Sequence, residues 1–116
     1  MRITVTEMRR RFNEGRYFER MKAGEFTPVK RKFTPRQEIL EAYGPDTLSF
    51  SVSYLDANGD EVVRVHQYES PNGDILYISK EDGTLRTNGL PDPKALYENG
   101  IHYRIQKEPK RQADRT

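Results

Sequence analysis

The chain of 116 residues has no cysteine. Disulfide staples and thiolate zinc sites are therefore excluded. Only two histidines are present, His66 and His102, too few for a metal site built from imidazole alone. Tryptophan is missing as well, and hydrophobic residues make up just 34% of the chain, with a mean hydropathy of −0.97. No run reaches the length of a membrane span, and the opening Met1-Arg2-Ile3-Thr4-Val5-Thr6-Glu7 has no apolar secretory core. A cytoplasmic protein that makes no membrane contact is expected on these grounds. There is no phosphate-cradling Walker loop, no dinucleotide fingerprint, no nucleophile elbow and no metalloprotease helix. No cofactor or metal is expected, and a binding role is favoured over an enzymatic one.

What the chain does have is charge. One third of its residues are Asp, Glu, Lys or Arg. Such a composition suits a thin two-layer domain with long solvated faces, or one that hides surface against a partner. The net charge of +2 conceals a strong asymmetry. Residues 1–36 carry a net +7, residues 37–105 a net −7, and residues 106–116 a net +2. The length fits a single domain, which we place at residues 1–105, followed by a flexible charged tail over 106–116 that lacks apolar anchors.

Periodicity divides the domain. Ile3 and Val5 alternate with polar residues and predict a short strand over 2–5. Met8 and Phe12 stand four apart, and Phe18 and Met21 three apart, which predicts helices over about 6–13 and 16–23. Thr6 is the expected first cap, and Gly24 takes the position just past the second helix. The tripeptide Phe-Thr-Pro occurs at 26–28 and again at 33–35. The first copy reads as a loop or an aborted helix start. The second predicts a helix with Thr34 as N-cap, Pro35 at its first position and Gln37 closing a capping box, ending at Gly44-Pro45.

From residue 47 the period becomes two. Leu48, Phe50, Val52 and Tyr54 alternate with Ser49, Ser51 and Ser53, a half-buried strand with a serine-lined outer face. Asn-Gly pairs at 58–59, 72–73, 88–89 and 99–100 mark hairpin turns, because both residues tolerate positive φ. The strands implied are 47–55, 61–68, 74–79, 94–98 and 101–105, with a short edge segment at 84–87. Leu90-Pro91-Asp92-Pro93 reads as a stiff loop. The predicted fold is thus α+β: a short N-terminal strand and two or three helices packed on one face of an antiparallel β-meander of four to five strands, over Leu48, Phe50, Val52, Val63 and Val65.

Four groups of residues carry candidate chemistry. Arg9, Arg10, Arg11, Arg16 and Arg20, then Lys30, Arg31 and Lys32, form basic clusters with Tyr17, Phe26 and Phe33 among them. Clustered cations attract nucleic-acid backbones by releasing condensed counterions, and interleaved aromatics can stack on bases. The competing structural reading is a solvated helix face paired with the acidic meander, diluted by Glu7, Glu14, Glu19 and Glu25. Secondly, inward Val63 and Val65 would send Arg64, His66 and Tyr68 outward, and inward Tyr103 would send His102 and Arg104 outward. A histidine base with a tyrosine and arginines on phosphate is a constellation that can cleave RNA. Its competing reading is the ordinary solvated side of an antiparallel sheet. Thirdly, Asp56-Ala57-Asn58-Gly59-Asp60 starts like a calcium loop. Glu61 and Gln67 occupy the positions that need glycine and glutamate, so it reads as a hairpin turn. Fourthly, Gly89-Leu90-Pro91-Asp92-Pro93-Lys94 is a rigid loop bearing an acid and a base, suited to recognition or to a plain crossover.

The order of strand, two helices and antiparallel hairpins over residues 2–80 resembles the small ribosome-dependent ribonuclease toxins of the RelE/ParE superfamily. The resemblance is one of layout and implies ribonuclease activity, with Arg64, His66 and Tyr68 as the sheet-face residues suited to it. The acidic meander and the hairpin at 94–105 depart from that pattern. The favoured reading is a non-enzymatic accessory or adaptor protein that binds nucleic acid or a nucleoprotein through its basic N-terminal third. The alternatives are a protein-binding module (an inhibitor, an immunity protein or a subunit of an assembly, contacted on the acidic meander) and a RelE-like ribonuclease.

Overall fold

Strands outnumber helices once the chain folds. A computed structural model describes residues 1–107, so the tail expected over 106–116 lies almost entirely outside the described residues. In chain order the elements are β1 (Arg2–Ile3), α1 (Val5–Glu14), α2 (Tyr17–Lys22), β2 (Thr27–Phe33), α3 (Gln37–Tyr43), β3 (Leu48–Leu55), β4 (Glu61–Glu69), β5 (Ile75–Ile78), β6 (Leu85–Arg86), β7 (Asp92–Glu98) and β8 (Ile101–Ile105). The α+β class stands; the antiparallel meander is met only in part, within a larger mixed sheet. The main sheet runs β1-β8-β7-β4-β3-β2, antiparallel throughout except for the parallel β1/β8 pair. The β5–β6 hairpin joins only the end of β4, through Tyr68/Leu76 and Glu69/Ile75. β4 thus divides one edge between β7 and β5, and the sheet forks there.

The periodicities do set the core. Met8 and Phe12 face the sheet from α1 and are almost fully buried. Beneath them lie Val52 and Tyr54 of β3, Val63 and Val65 of β4, Leu96 of β7 and Tyr103 of β8. Phe12, Tyr17, Phe26 and Tyr54 form a ring cluster with centroids 6.1–6.5 Å apart. That spacing suits aromatic packing, and burying each ring contributes about 1.5–3 kcal/mol. Phe50 packs on this cluster, whereas Leu48 stays outside it. Gly15 joins α1 to α2 because a Cβ there would stand 2.4 Å from the Tyr17 ring.

Several local expectations are corrected. Thr4, not Thr6, caps α1: its Oγ1 accepts the Glu7 N–H at 3.1 Å. The first Phe-Thr-Pro copy buries Phe26 and opens β2 rather than forming a loop. Pro28 is tolerated there because β2 is an edge strand, paired only with β3. Thr34 lies outside α3, whose N-cap is Arg36, with no side-chain cap hydrogen bond. Asn99-Gly100 makes a tight hairpin with both φ angles positive (51° and 78°). Asn88-Gly89, by contrast, connects β6 to β7, which do not pair. The stiff loop is shorter than expected, since Asp92 and Pro93 already belong to β7, opposite His66 and Val65. Lys94 is the extra residue where the β4/β7 register shifts. The helices also divide between the faces. α1 and α2 cover the core face. Tyr43 of α3 instead packs against Tyr68 on the opposite face, with ring centroids 5.1 Å apart. No helix among the described residues is long and apolar enough to cross a membrane.

Candidate nucleic-acid interface

The face turned away from α1 and α2 follows from strand register, since residues directly opposite in paired strands share a face. One row crosses Arg31, Ser51, His66 and Asp92; the next crosses Val29, Ser53, Arg64, Ala95, Arg104 and Arg2. Tyr68 lies beyond the first row and the Tyr97/His102 pair beyond the second. Serine and alanine are short, so the arginines stand above their neighbours. Glu61 and Asp92 are the acids on this face. Arg64, His66, Tyr68, His102 and Arg104 do share one surface, in the register expected.

The basic residues of the N-terminal third are placed differently. Arg9 reaches Asp92 at 3.3 Å, Arg10 pairs with Glu7 and Glu14, Arg11 with Glu7 and Glu98, and Arg20 with Glu25. Lys30 reaches the buried carboxylate of Glu69 at 2.7 Å and lies over the Phe50 ring. A guanidinium already matched to a carboxylate brings less net charge to a polyanion. Among the described residues Arg16, Arg31, Lys32, Arg104 and Arg2 make no ion pair, and Arg64 has only a distant one, 3.9 Å from Glu61. Alternation along β2 puts Arg31 on the uncovered face and Lys30 and Lys32 on the other. Several acids of the meander are also engaged. Glu69, Asp92 and Glu98 hold cations, and Asp56 caps its own turn by accepting the Asn58 and Asp60 N–H groups. Asp82 is held at about 2 by hydrogen bonds from Thr84 and then Arg86.

The histidines share a face but not a site. His66 Nε2 stands 2.9 Å from Ser49 Oγ, with the ring edge-on to Tyr68 at 4.8 Å. Burial lowers its pKa below the usual histidine value; Lys94 adds to this and Asp92 opposes it. His102 lies flat on Tyr97, centroids 4.1 Å apart. Its pKa is also lowered, by burial first and then by Arg104, the N-terminal ammonium and Arg64. Two strand spacings and a four-residue offset along β4 separate them, on the order of 17 Å. They do not converge on one reacting atom, so a mechanism that uses both as acid and base at one bond is not assembled here.

The fork in the sheet opens a cleft of about 910 Å³ between β5, β6 and the start of β7. Its walls include Tyr43, His66 and Tyr68 from one side of the sheet, and Arg9, Asn13 and Tyr77 from the other. The segment from Gly89 to Lys94 forms its rim, which gives that loop a structural context absent from its sequence. Arg2, Tyr43, Tyr77 and Tyr97 escape sequence reasoning as site residues. Arg2 is placed by pairing with the distant β8 and Tyr43 by packing on Tyr68, whereas Tyr77 and Tyr97 stand in local hairpins, where a tyrosine reads as an ordinary strand residue. No family model, curated protein or solved structure matches this chain.

Proposed function

We propose that this protein is a non-enzymatic accessory or adaptor protein that binds single-stranded nucleic acid, alone or in a nucleoprotein. The uncovered sheet face would be the contact, rather than the N-terminal helices. One observation carries the reading: Arg2, Arg31, Arg64 and Arg104 lie on a single face with at most one distant acid partner. The helical arginines, by contrast, are already matched to carboxylates. Exposed Phe33 and Tyr97 flank the cations on the same face and offer rings for base stacking.

Anisotropy titrations with a labelled single strand test this. Affinity should fall as salt rises. Arg31→Glu with Arg104→Glu should make the log–log salt slope shallower by about 0.7 for each phosphate that is no longer neutralised. Salt-independent binding, or a slope unchanged in the double variant, overturns the reading.

A second reading is favoured by β2. All seven of its residues are exposed and one edge is unpaired, the geometry by which an extended segment of another protein adds a strand. A co-purifying protein that survives nuclease treatment would support it. So would loss of that protein in Lys32→Pro, which alternates with Pro28 and so removes an N–H from the open edge.

A further inference from the structure

We propose that the cleft at the fork takes one unstacked nucleotide. Its base would lie against the aromatic wall of Tyr43, Tyr68 and His66, and its phosphate beside Lys94. The inference rests on the reading of the sheet face as a single-strand interface. His66 belongs both to the Arg31–Ser51–His66 row and to the cleft wall, so a strand laid along that row reaches the opening.

Three observations carry it. The volume is sufficient, since pockets of about 300–1,000 Å³ hold ligands of nucleotide size. The wall is aromatic and preset: Tyr68 contacts both the Tyr43 ring, at 5.1 Å, and the His66 ring, at 4.8 Å. Ser49 holds His66 by Nε2, so Nδ1, which has no protein partner among the described residues, is the ring nitrogen left to a base. The charge is also suitable. Arg9, Lys80, Arg86 and Lys94 line the cleft against Glu81 and Asp92; Arg86 is matched to Asp82 at 2.7 Å, whereas Asp92 is shared by two cations, Arg9 at 3.3 Å and Lys94 at 3.0 Å, which leaves a net positive charge beside it. A base with an anionic phosphate meets both requirements; a purely apolar ligand meets only the first.

The test uses the full chain with two probes. One is a single-stranded oligonucleotide carrying 2-aminopurine, whose fluorescence falls when its ring stacks; the other is 5′-AMP followed by amide NMR. The expected result is quenching on binding and amide shifts at His66, Tyr68 and Lys94. Tyr43→Ala and Lys94→Ala should each weaken strand binding by about tenfold, with Tyr43→Phe close to wild type. Tyr43 is half-buried on a helix without buried residues, so its loss spares the core. A strand bound without quenching and with unchanged affinity in both alanine variants overturns the cleft and leaves the sheet-face reading standing. If no strand binds but 5′-AMP shifts those amides, the sheet-face reading fails and the cleft stands as a site for free nucleotide. If neither probe binds, both fall.

Discussion

Lys30 and His66 show how environment, rather than identity, sets the role of an ionisable side chain. Lys30 resembles a phosphate contact in the sequence, but it sits 2.7 Å from Glu69, whose side chain is only 3% exposed. Lys30→Met leaves that carboxylate buried with Gln67 as its remaining partner, and should cost about 1–3 kcal/mol. Adding Glu69→Gln should recover most of the stability, measured by urea denaturation. His66 carries a different prediction. Its folded pKa lies below its unfolded value, so the unfolded chain binds protons more readily. The stability it contributes is complete above the unfolded value, near 6.5, and is lost as pH falls from there through the folded value. Melting temperature should therefore drop as pH falls below about 7, and His66→Gln should flatten that drop. An equal drop in the variant would place the titration elsewhere, with His102 the next candidate, since its pKa is lowered too.

Elements differ in how much of them local pattern reveals. α1 is legible: Met8 and Phe12 at four-residue spacing make its buried stripe, and only its cap stands two residues before the expected one. Thr4→Ala should destabilise by about 1 kcal/mol and Thr6→Ala by much less, read by thermal melting. Equal effects would contradict Thr4 as the cap. β3 and β4 are equally legible, because one face of each is buried and the other polar. β2 is not. It is exposed along its whole length, so no alternation is selected, and Lys30-Arg31-Lys32 reads as a solvated charge run. The same lysines and arginine on an unpaired edge discourage β2 from pairing with another copy of itself. The layout read as RelE-like is altered at this element, since α3 comes between β2 and the β3–β4 hairpin.

Across the whole molecule part of the charge split ties the fold together. The net +7 and −7 segments meet through Arg9–Asp92, Arg11–Glu98 and Lys30–Glu69, which tie α1 and β2 to β7 and β4. Glu98 also accepts the Tyr17 hydroxyl at 2.7 Å; burial and this bond push the Tyr17 pKa up to about 12. Arg11→Ala should therefore lower the melting temperature by loosening α1 from β7, while leaving the salt slope of single-strand binding unchanged. If the slope falls instead, Arg11 contacts phosphate directly and the interface includes the helices.

Local pattern was enough to set the class, the core face of α1, β3 and β4, three of the hairpin turns and the outward register of Arg64, His66, Tyr68, His102 and Arg104. These follow from side-chain period and turn chemistry, both of which act between residues close in the chain. The insertion of β7 and β8 between β4 and β1, the fork and its cleft, and the division of cations into paired and unpaired sets depend on contacts between residues up to about a hundred positions apart, such as Arg2 with Arg104. Those contacts are fixed by which faces and edges remain to be buried once the hairpins form, and no window of sequence contains that competition.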